Sequence, residues 1–109
     1  MSESKTIDAL QRAVHQTAVK HGWWDQARPI GEVLMLVVTE LAEAMEAYRS
    51  GDSGSDKIAG FSKVEEELAD AIIRILDFAG GHSLNIEGAL TAKMEYNESR
   101  PYRHGGKLA

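Results

Sequence analysis

The chain has 109 residues, no cysteine and a formal net charge of −5 at pH 7. This length fits one domain, residues 1–109, and a hydrophobic content of 43% argues against disorder. The lack of cysteine excludes disulfides, thiolate zinc sites and cysteine nucleophiles, and the acidic balance argues against binding to a nucleic-acid polymer. No signal peptide is recognisable, and no apolar run approaches the roughly 18 residues of a membrane span. We therefore expect a cytoplasmic protein with no membrane partner.

Apolar residues spaced by three or four positions predict an all-α fold, beginning with two helices at about residues 6–20 and 29–49. Pro29 is expected in the first turn of the second helix, where its missing N–H costs nothing. Residues 50–56 form a polar, glycine-rich break that predicts a loop.

Two further helices follow this loop. The capping-box pattern Ser62-Lys63-Val64-Glu65 is expected to open the third, and Gly80-Gly81 to close it. The fourth is expected at about residues 85–99, capped by Asn85. A basic, irregular tail occupies about residues 100–109, including Arg103-His104-Gly105-Gly106-Lys107. The sequence leaves two alternatives for it, closing over a substrate or being disordered.

The second predicted helix carries a signal for self-association. Residues 33–38 are all apolar, so this part of the helix is apolar on every side and needs burial on every side. A protomer of four short helices covers only part of such a surface. We expect a bundle that associates as a homodimer or homotetramer, the alternative being a crowded monomeric core.

Two acidic pairs are the most informative feature of the chain: Glu40-Leu41-Ala42-Glu43 and Glu67-Leu68-Ala69-Asp70. Residues at i and i+3 share a helix face, so each pair projects two carboxylates in one direction. The pairs lie on successive helices whose connection allows an antiparallel hairpin, so they can face one another. Glu40 and Glu43 also interrupt an apolar stripe that is expected to be buried. A single such pair is commonly just a solvated face, but the two together predict a metal site.

Oxygen ligands favour a hard divalent cation, Mg²⁺ first and Mn²⁺ as a substitute. A ferritin-like di-iron site requires Glu-x-x-His on two helices, and no histidine of this chain has an acid three residues before it. An all-carboxylate site that binds Mg²⁺ is typical of chemistry on phosphates, in which an unused carboxylate orients the attacking water.

With its flanking motifs, this arrangement resembles the MazG-like all-α nucleoside triphosphate pyrophosphohydrolases, a superfamily that includes dimeric dUTPases, dCTP pyrophosphatases and phosphoribosyl-ATP pyrophosphohydrolase. The resemblance covers nearly the whole chain. It is carried by His15, Gly22-Trp23-Trp24, the two acidic pairs, Lys93-Met94-Glu95-Tyr96-Asn97 and Arg100-Pro101-Tyr102.

The resemblance implies hydrolysis of the α–β phosphoanhydride of a nucleoside triphosphate, giving a monophosphate and pyrophosphate. Mg²⁺ would be bound by both acidic pairs, with Glu40 or Glu43 also acting as the catalytic base or water-orienting group. A role in removing unwanted nucleotides follows from the family, whereas the base and sugar are not specified. The implied metal ligands are Glu40, Glu43, Glu67 and Asp70.

The resemblance also implies substrate contacts, each with a simpler alternative. His15 and Trp24 would contact the base, but they are alternatively a surface histidine and a packing residue. Lys93 and Asn97 would contact phosphates, with Arg100 and Tyr102 as weaker candidates. Lys93 alternatively pairs in solvent with Glu87 or Glu95, and Arg74 is expected to pair within its own helix with Asp70 or Asp77, with a phosphate contact as the alternative.

Two other functions stay open at this point. The chain would be a phosphoribosyl-ATP pyrophosphohydrolase if it acted on that substrate and not on ordinary triphosphates. It would be a non-catalytic helical module if it bound nucleotide or metal without turnover.

Overall fold

The computed structural model describes residues 5–102, which form four helices and no strand within that range. The helices are α1 (Ile7–Lys20), α2 (Ile30–Arg49), α3 (Lys63–Gly81) and α4 (Ile86–Glu98). The all-α prediction is confirmed. Residues 103–109 lie outside the described range, and with them most of the predicted basic tail.

Side-chain caps fix where three of the helices begin. The hydroxyl of Thr6 accepts the N–H of Ala9 at the start of α1, and Asn85 caps α4 in the same way. At α3 the predicted capping box is present, because Ser62 and Glu65 each accept the other's backbone N–H. Pro29 does not lie inside the first turn of α2 as predicted, because its backbone is extended and it precedes the helix as the cap.

The prediction that Gly80-Gly81 closes α3 is confirmed, since the helix ends at Gly81, but neither glycine is a left-handed cap. Both glycines lie in the last helical turn, and the positive φ after the helix, 55°, belongs to Ser83. The glycines are instead where other elements approach α3 closely. A Cβ on Gly80 would lie 2.7 Å from Cβ of His15, and a Cβ on Gly81 would overlap the ring of Trp24.

We therefore expect Gly81→Ala to lower the free energy of unfolding by about 1–3 kcal/mol, the usual range for overpacking. Urea denaturation measures this effect. Gly31→Ala is the matched control, since Gly31 is also helical but has open space where a Cβ would be added. Equal stability of the two variants would contradict the close packing of Trp24 on α3.

α3 is the central helix of the protomer. α1 and α2 both pack against it, whereas α4 makes only a small contact with α1. Asp52, just after α2, accepts the N–H of Lys63 at the start of α3, whereas Glu40 in the middle of α2 pairs with Arg74 in the second half of α3. Later positions along α2 thus meet earlier positions along α3, so these helices are antiparallel. Within the described residues, the buried apolar residues are few: Ala44, Ala71, Leu76 and Ala79.

A stripe of large apolar residues on α2 remains uncovered in the protomer. We call it the α2 stripe; its residues repeat every three or four positions, so they lie on one side of the helix. On α3, Leu68, Ile72 and Ile75 are also exposed. Each of these three residues, and each residue of the α2 stripe, has an exposed fraction of 41–74%. The α2 stripe consists of Leu34, Val38, Leu41, Met45 and Tyr48.

None of the helices in residues 5–102 combines the length and apolarity needed to cross a bilayer.

Candidate functional site

Three of the four predicted metal ligands come together between α2 and α3. Glu40, Glu67 and Asp70 each place a carboxylate oxygen within 4.8 Å of the others, and we call them the acidic cluster. The antiparallel packing brings the middle of α2 to the first half of α3, and the i,i+3 spacing turns Glu67 and Asp70 to the same side. The sequence therefore places these acids on facing helix surfaces, as expected.

Glu43 is the fourth predicted ligand, and it does not belong to this cluster. It is exposed, so the expectation that it interrupts a buried stripe is wrong for the protomer. Its carboxylate is still close enough for its charge to raise the pKa of Glu67. Glu43 thus lies at the edge of the site rather than among the three converging carboxylates.

The acidic cluster carries more negative charge than its surroundings stabilise. Glu67 is only 3% exposed, and burial raises its pKa, helped by the charge of Glu43 and a hydrogen bond with Glu40. Burial also raises the pKa of Asp70, and the charges of Glu40 and Glu66 raise it further. The raised pKa values of Glu67 and Asp70 mark a place where an added cation is favoured.

Two basic side chains compensate part of this charge. Nζ of Lys63 lies 3.2 Å from Glu67 and 3.3 Å from Glu66, and its hydrogen bond to Glu67 raises the pKa of Lys63. Nε of Arg74 lies 2.7 Å from Oε2 of Glu40. The expected pairing of Arg74 with Asp70 or Asp77 on its own helix is wrong, because the packing of α2 on α3 places Glu40 beside it.

The chemistry of the acidic cluster fits a hard divalent cation. Its donors are carboxylate oxygens from two helices that pack against each other, and such donors suit Mg²⁺ or Mn²⁺ better than softer metals. The packing of the two helices brings the three carboxylates close together.

Asp77 is a site residue that the sequence predicts only as a partner of Arg74. Its Oδ1 accepts a hydrogen bond from Nε1 of Trp24 at 2.8 Å and lies 2.9 Å from Nδ1 of His15. It thereby ties α1 and the loop before α2 to α3. Asp77 follows Asp70 by seven residues, two helical turns along the same face, and this spacing is the signal in the sequence that points to it.

The two neighbouring tryptophans have different environments. Trp24 is partly buried, with its ring 5.0 Å from that of His15 and 5.9 Å from that of His82. Trp23 is 48% exposed, and the guanidinium of Arg28 lies 4.7 Å from its ring centroid. The indole N–H of Trp24 is therefore already bonded, and Trp23 offers the more open ring.

Two clefts meet at Trp23, Arg74 and Asp77. The first, which we call the acidic cleft, has a volume of about 240 Å³ and contains Glu40 and Asp70. The second, the aromatic cleft, has a volume of about 300 Å³ and contains both tryptophans. The acidic cleft is also lined by Val14, Thr17, Ala18, His21 and Ile73. The aromatic cleft is also lined by Gln26, Ala27, Arg28, Val33, Leu36 and His82.

The predicted phosphate contacts on and after α4 do not line either cleft within the protomer. Nζ of Lys93 lies 4.6 Å from the ring centroid of Tyr96, and the guanidinium of Arg100 lies 5.5 Å from the same ring. Lys93 thus stacks on Tyr96 rather than pairing with Glu87 or Glu95. Asn97 and Tyr102 are exposed.

Comparisons of the chain with protein-family models, with curated proteins and with solved structures found no match. The resemblance described above consequently stays a prediction from the sequence motifs.

Proposed function

We propose that this protein is a Mg²⁺-dependent nucleoside triphosphate pyrophosphohydrolase of the MazG-like type, acting on the nucleotide pool of the cytoplasm. Nucleotides require two kinds of surface: carboxylates that hold a cation against the phosphates, and a flat ring against the base. The acidic cleft combines both kinds, since Glu40 and Asp70 line it together with the open ring of Trp23. This juxtaposition carries the proposal.

Glu40, Glu67 and Asp70 would hold the cation, with Glu43 at the edge of the site. When bound, Mg²⁺ supplies charge neutralisation at the phosphates and lowers the pKa of a coordinated water. The protein's own part is to gather the carboxylates before the ion arrives. The attacking water would be oriented toward the α-phosphorus by Glu43 or by the second carboxylate oxygen of Glu40, the one not on the cation.

Trp23 replaces Trp24 in this proposal as the ring that stacks on the base. Trp24 is fixed by its hydrogen bond to Asp77 and its contact with Gly81, whereas nearly half of Trp23 is open to the cleft. Asp77 would position His15 and Trp24 at the back of the site. The aromatic cleft beyond Trp23 is then available to the base, with Gln26 as a polar side chain in its wall.

Trp23→Ala is expected to raise KM for the nucleotide by about 5- to 100-fold, because stacking on an aromatic ring contributes about 1–3 kcal/mol per base. The fold should be retained, since Trp23 is half exposed. Phe61→Ala is the control, as Phe61 is 53% exposed and lines neither cleft. Steady-state kinetics of the wild type and both variants gives the KM values. An unchanged KM in Trp23→Ala would contradict the stacking role.

Self-association is the second part of the proposal. The α2 stripe and the exposed residues of α3 leave more apolar surface uncovered than a small monomer usually tolerates, which supports a homodimer or homotetramer. Lys93 and Asn97 remain candidate phosphate contacts only if association brings α4 of a second copy to the acidic cleft.

Hydrolysis in water enriched in ¹⁸O tests the reaction itself. If water attacks the α-phosphorus, mass spectrometry finds the label in the monophosphate and pyrophosphate is unlabelled. Label in orthophosphate would contradict α–β cleavage. Turnover of phosphoribosyl-ATP alone would favour that narrower activity, and nucleotide-dependent thermal stabilisation without turnover would favour a non-catalytic binding module.

A further inference from the structure

Arg74 forms the closest ion pair of the acidic cluster. Its Nε lies 2.7 Å from Oε2 of Glu40, and the two side chains are 31% and 13% exposed. Within the described part of the chain, Nε is the only guanidinium nitrogen of Arg74 in a hydrogen bond. The contact joins two helices, so it is not a by-product of helical spacing. It neutralises one of the three carboxylates gathered for the cation.

Arg74 also lies at the junction of the two clefts. It lines both of them, and its guanidinium carbon lies 6.0 Å from the ring centroid of Trp23. The face of an indole ring attracts a cation at such distances. Arg28 already lies 4.7 Å from the same ring centroid, so a movement of Arg74 away from Glu40 leads toward the junction of the two clefts, beside Trp23.

We propose that Arg74 is a built-in counter-cation that competes with the divalent cation for Glu40. This inference rests on the proposed metal site. The guanidinium of Arg74 is bonded to Oε2 of Glu40, one of the three carboxylates that would hold the cation. A guanidinium and a divalent cation on the same carboxylate repel each other strongly in a partly dry site. Binding of the divalent cation therefore requires Arg74 to withdraw from Glu40 toward the junction of the two clefts. The metal-free site is then stable without an ion, at the cost of a weaker affinity for one.

This competition predicts that removing a residue of the site raises its affinity for a divalent cation. Arg74→Met should bind Mn²⁺ about tenfold more tightly than the wild type in the absence of nucleotide, because a repelling charge is gone. Arg74→Lys keeps the charge and should stay closer to the wild type. Arg12→Met, which removes an exposed arginine paired with Asp8 on α1, should bind as the wild type does. Titration of free Mn²⁺ by electron paramagnetic resonance gives the four affinities.

The outcomes separate the competition by Arg74 from the proposed metal site. Equal or weaker binding by Arg74→Met overturns the competition while leaving the metal site in place, since a merely structural arginine would support the site. Arg74→Gln, a second neutral variant, must show the same gain in affinity, and its failure to do so also overturns the inference. If the wild type and all variants bind no Mn²⁺, the metal site itself is wrong, and with it the proposed function.

Discussion

Asp70→Asn is expected to lower Mg²⁺-dependent turnover by at least about 100-fold while making the metal-free protein more stable. The loss follows from removing a charged ligand of the proposed metal site, since metal-ion stabilisation of phosphate chemistry is worth several kcal/mol. The gain follows from electrostatics. Burial and the charges of Glu40 and Glu66 raise the pKa of Asp70, so its ionised form opposes folding at neutral pH. Asparagine removes this charge at nearly the same volume.

The sign of the stability change depends on pH. A carboxyl whose pKa is higher in the folded state binds more protons there than in the unfolded chain. Its contribution therefore favours folding at low pH and is lost as pH rises through the raised pKa values of Glu67 and Asp70. The advantage of Asp70→Asn over the wild type should accordingly be present at pH 7 and shrink as pH falls to the point where Asp70 is protonated.

Thermal denaturation with chelator present measures the stability difference between Asp70→Asn and the wild type. It is carried out at pH 7 and at a pH low enough to protonate Asp70. Asp56→Asn is the matched control, because Asp56 is an exposed aspartate in the loop between α2 and α3 and does not belong to the acidic cluster. It changes the net charge by the same amount and should keep its activity. An Asp70→Asn protein that is fully active, or clearly less stable than Asp56→Asn at pH 7, would contradict this account of the cluster.

Leu41→Lys is expected to weaken self-association by at least about 100-fold. Leu41 lies in the middle of the α2 stripe and is 48% exposed in the protomer, so a lysine there does not disturb the protomer's own core. Within an interface between copies, however, the same lysine buries an unpaired charge, which costs several kcal/mol. Sedimentation equilibrium at several protein concentrations measures the association constant.

Thr39→Lys provides the comparison on the same helix. Thr39 is also exposed but lies outside the α2 stripe, so the same added charge should leave the association constant nearly unchanged. If Leu41→Lys and Thr39→Lys both form assemblies of the same mass as the wild type, the α2 stripe is not an interface. A wild-type protein that is monomeric at all concentrations would equally exclude such an interface.

The helices and the facing acids were predictable from the sequence because both depend on local spacing. The repeat of three and four positions indicated α1 to α4, and the caps at Ser62 and Asn85 indicated two of the starts within a residue. The i,i+3 spacing placed Glu67 and Asp70 on one side of α3. In each case the decisive interactions lie within a few residues along the chain.

The errors concern interactions between elements distant in sequence. Arg74 pairs with Glu40 on another helix, although its own helix offers Asp70 and Asp77. Gly80 and Gly81 end α3 as predicted, but the sequence did not show that His15 and Trp24 approach them closely. Trp23 and Trp24 are identical residues side by side, and only the position of Asp77 shows which indole N–H is bonded. Spacing within one helix contains none of this information.

Release of pyrophosphate from a panel of canonical and modified nucleoside triphosphates, with Mg²⁺ or with chelator, tests the central claim most directly. We predict that the wild type releases pyrophosphate and the matching monophosphate with Mg²⁺ only, and that Asp70→Asn releases almost none. The rank order of the panel would then identify the preferred base. Orthophosphate as the product, turnover that survives chelation, or no turnover of any nucleotide would contradict a metal-dependent pyrophosphohydrolase.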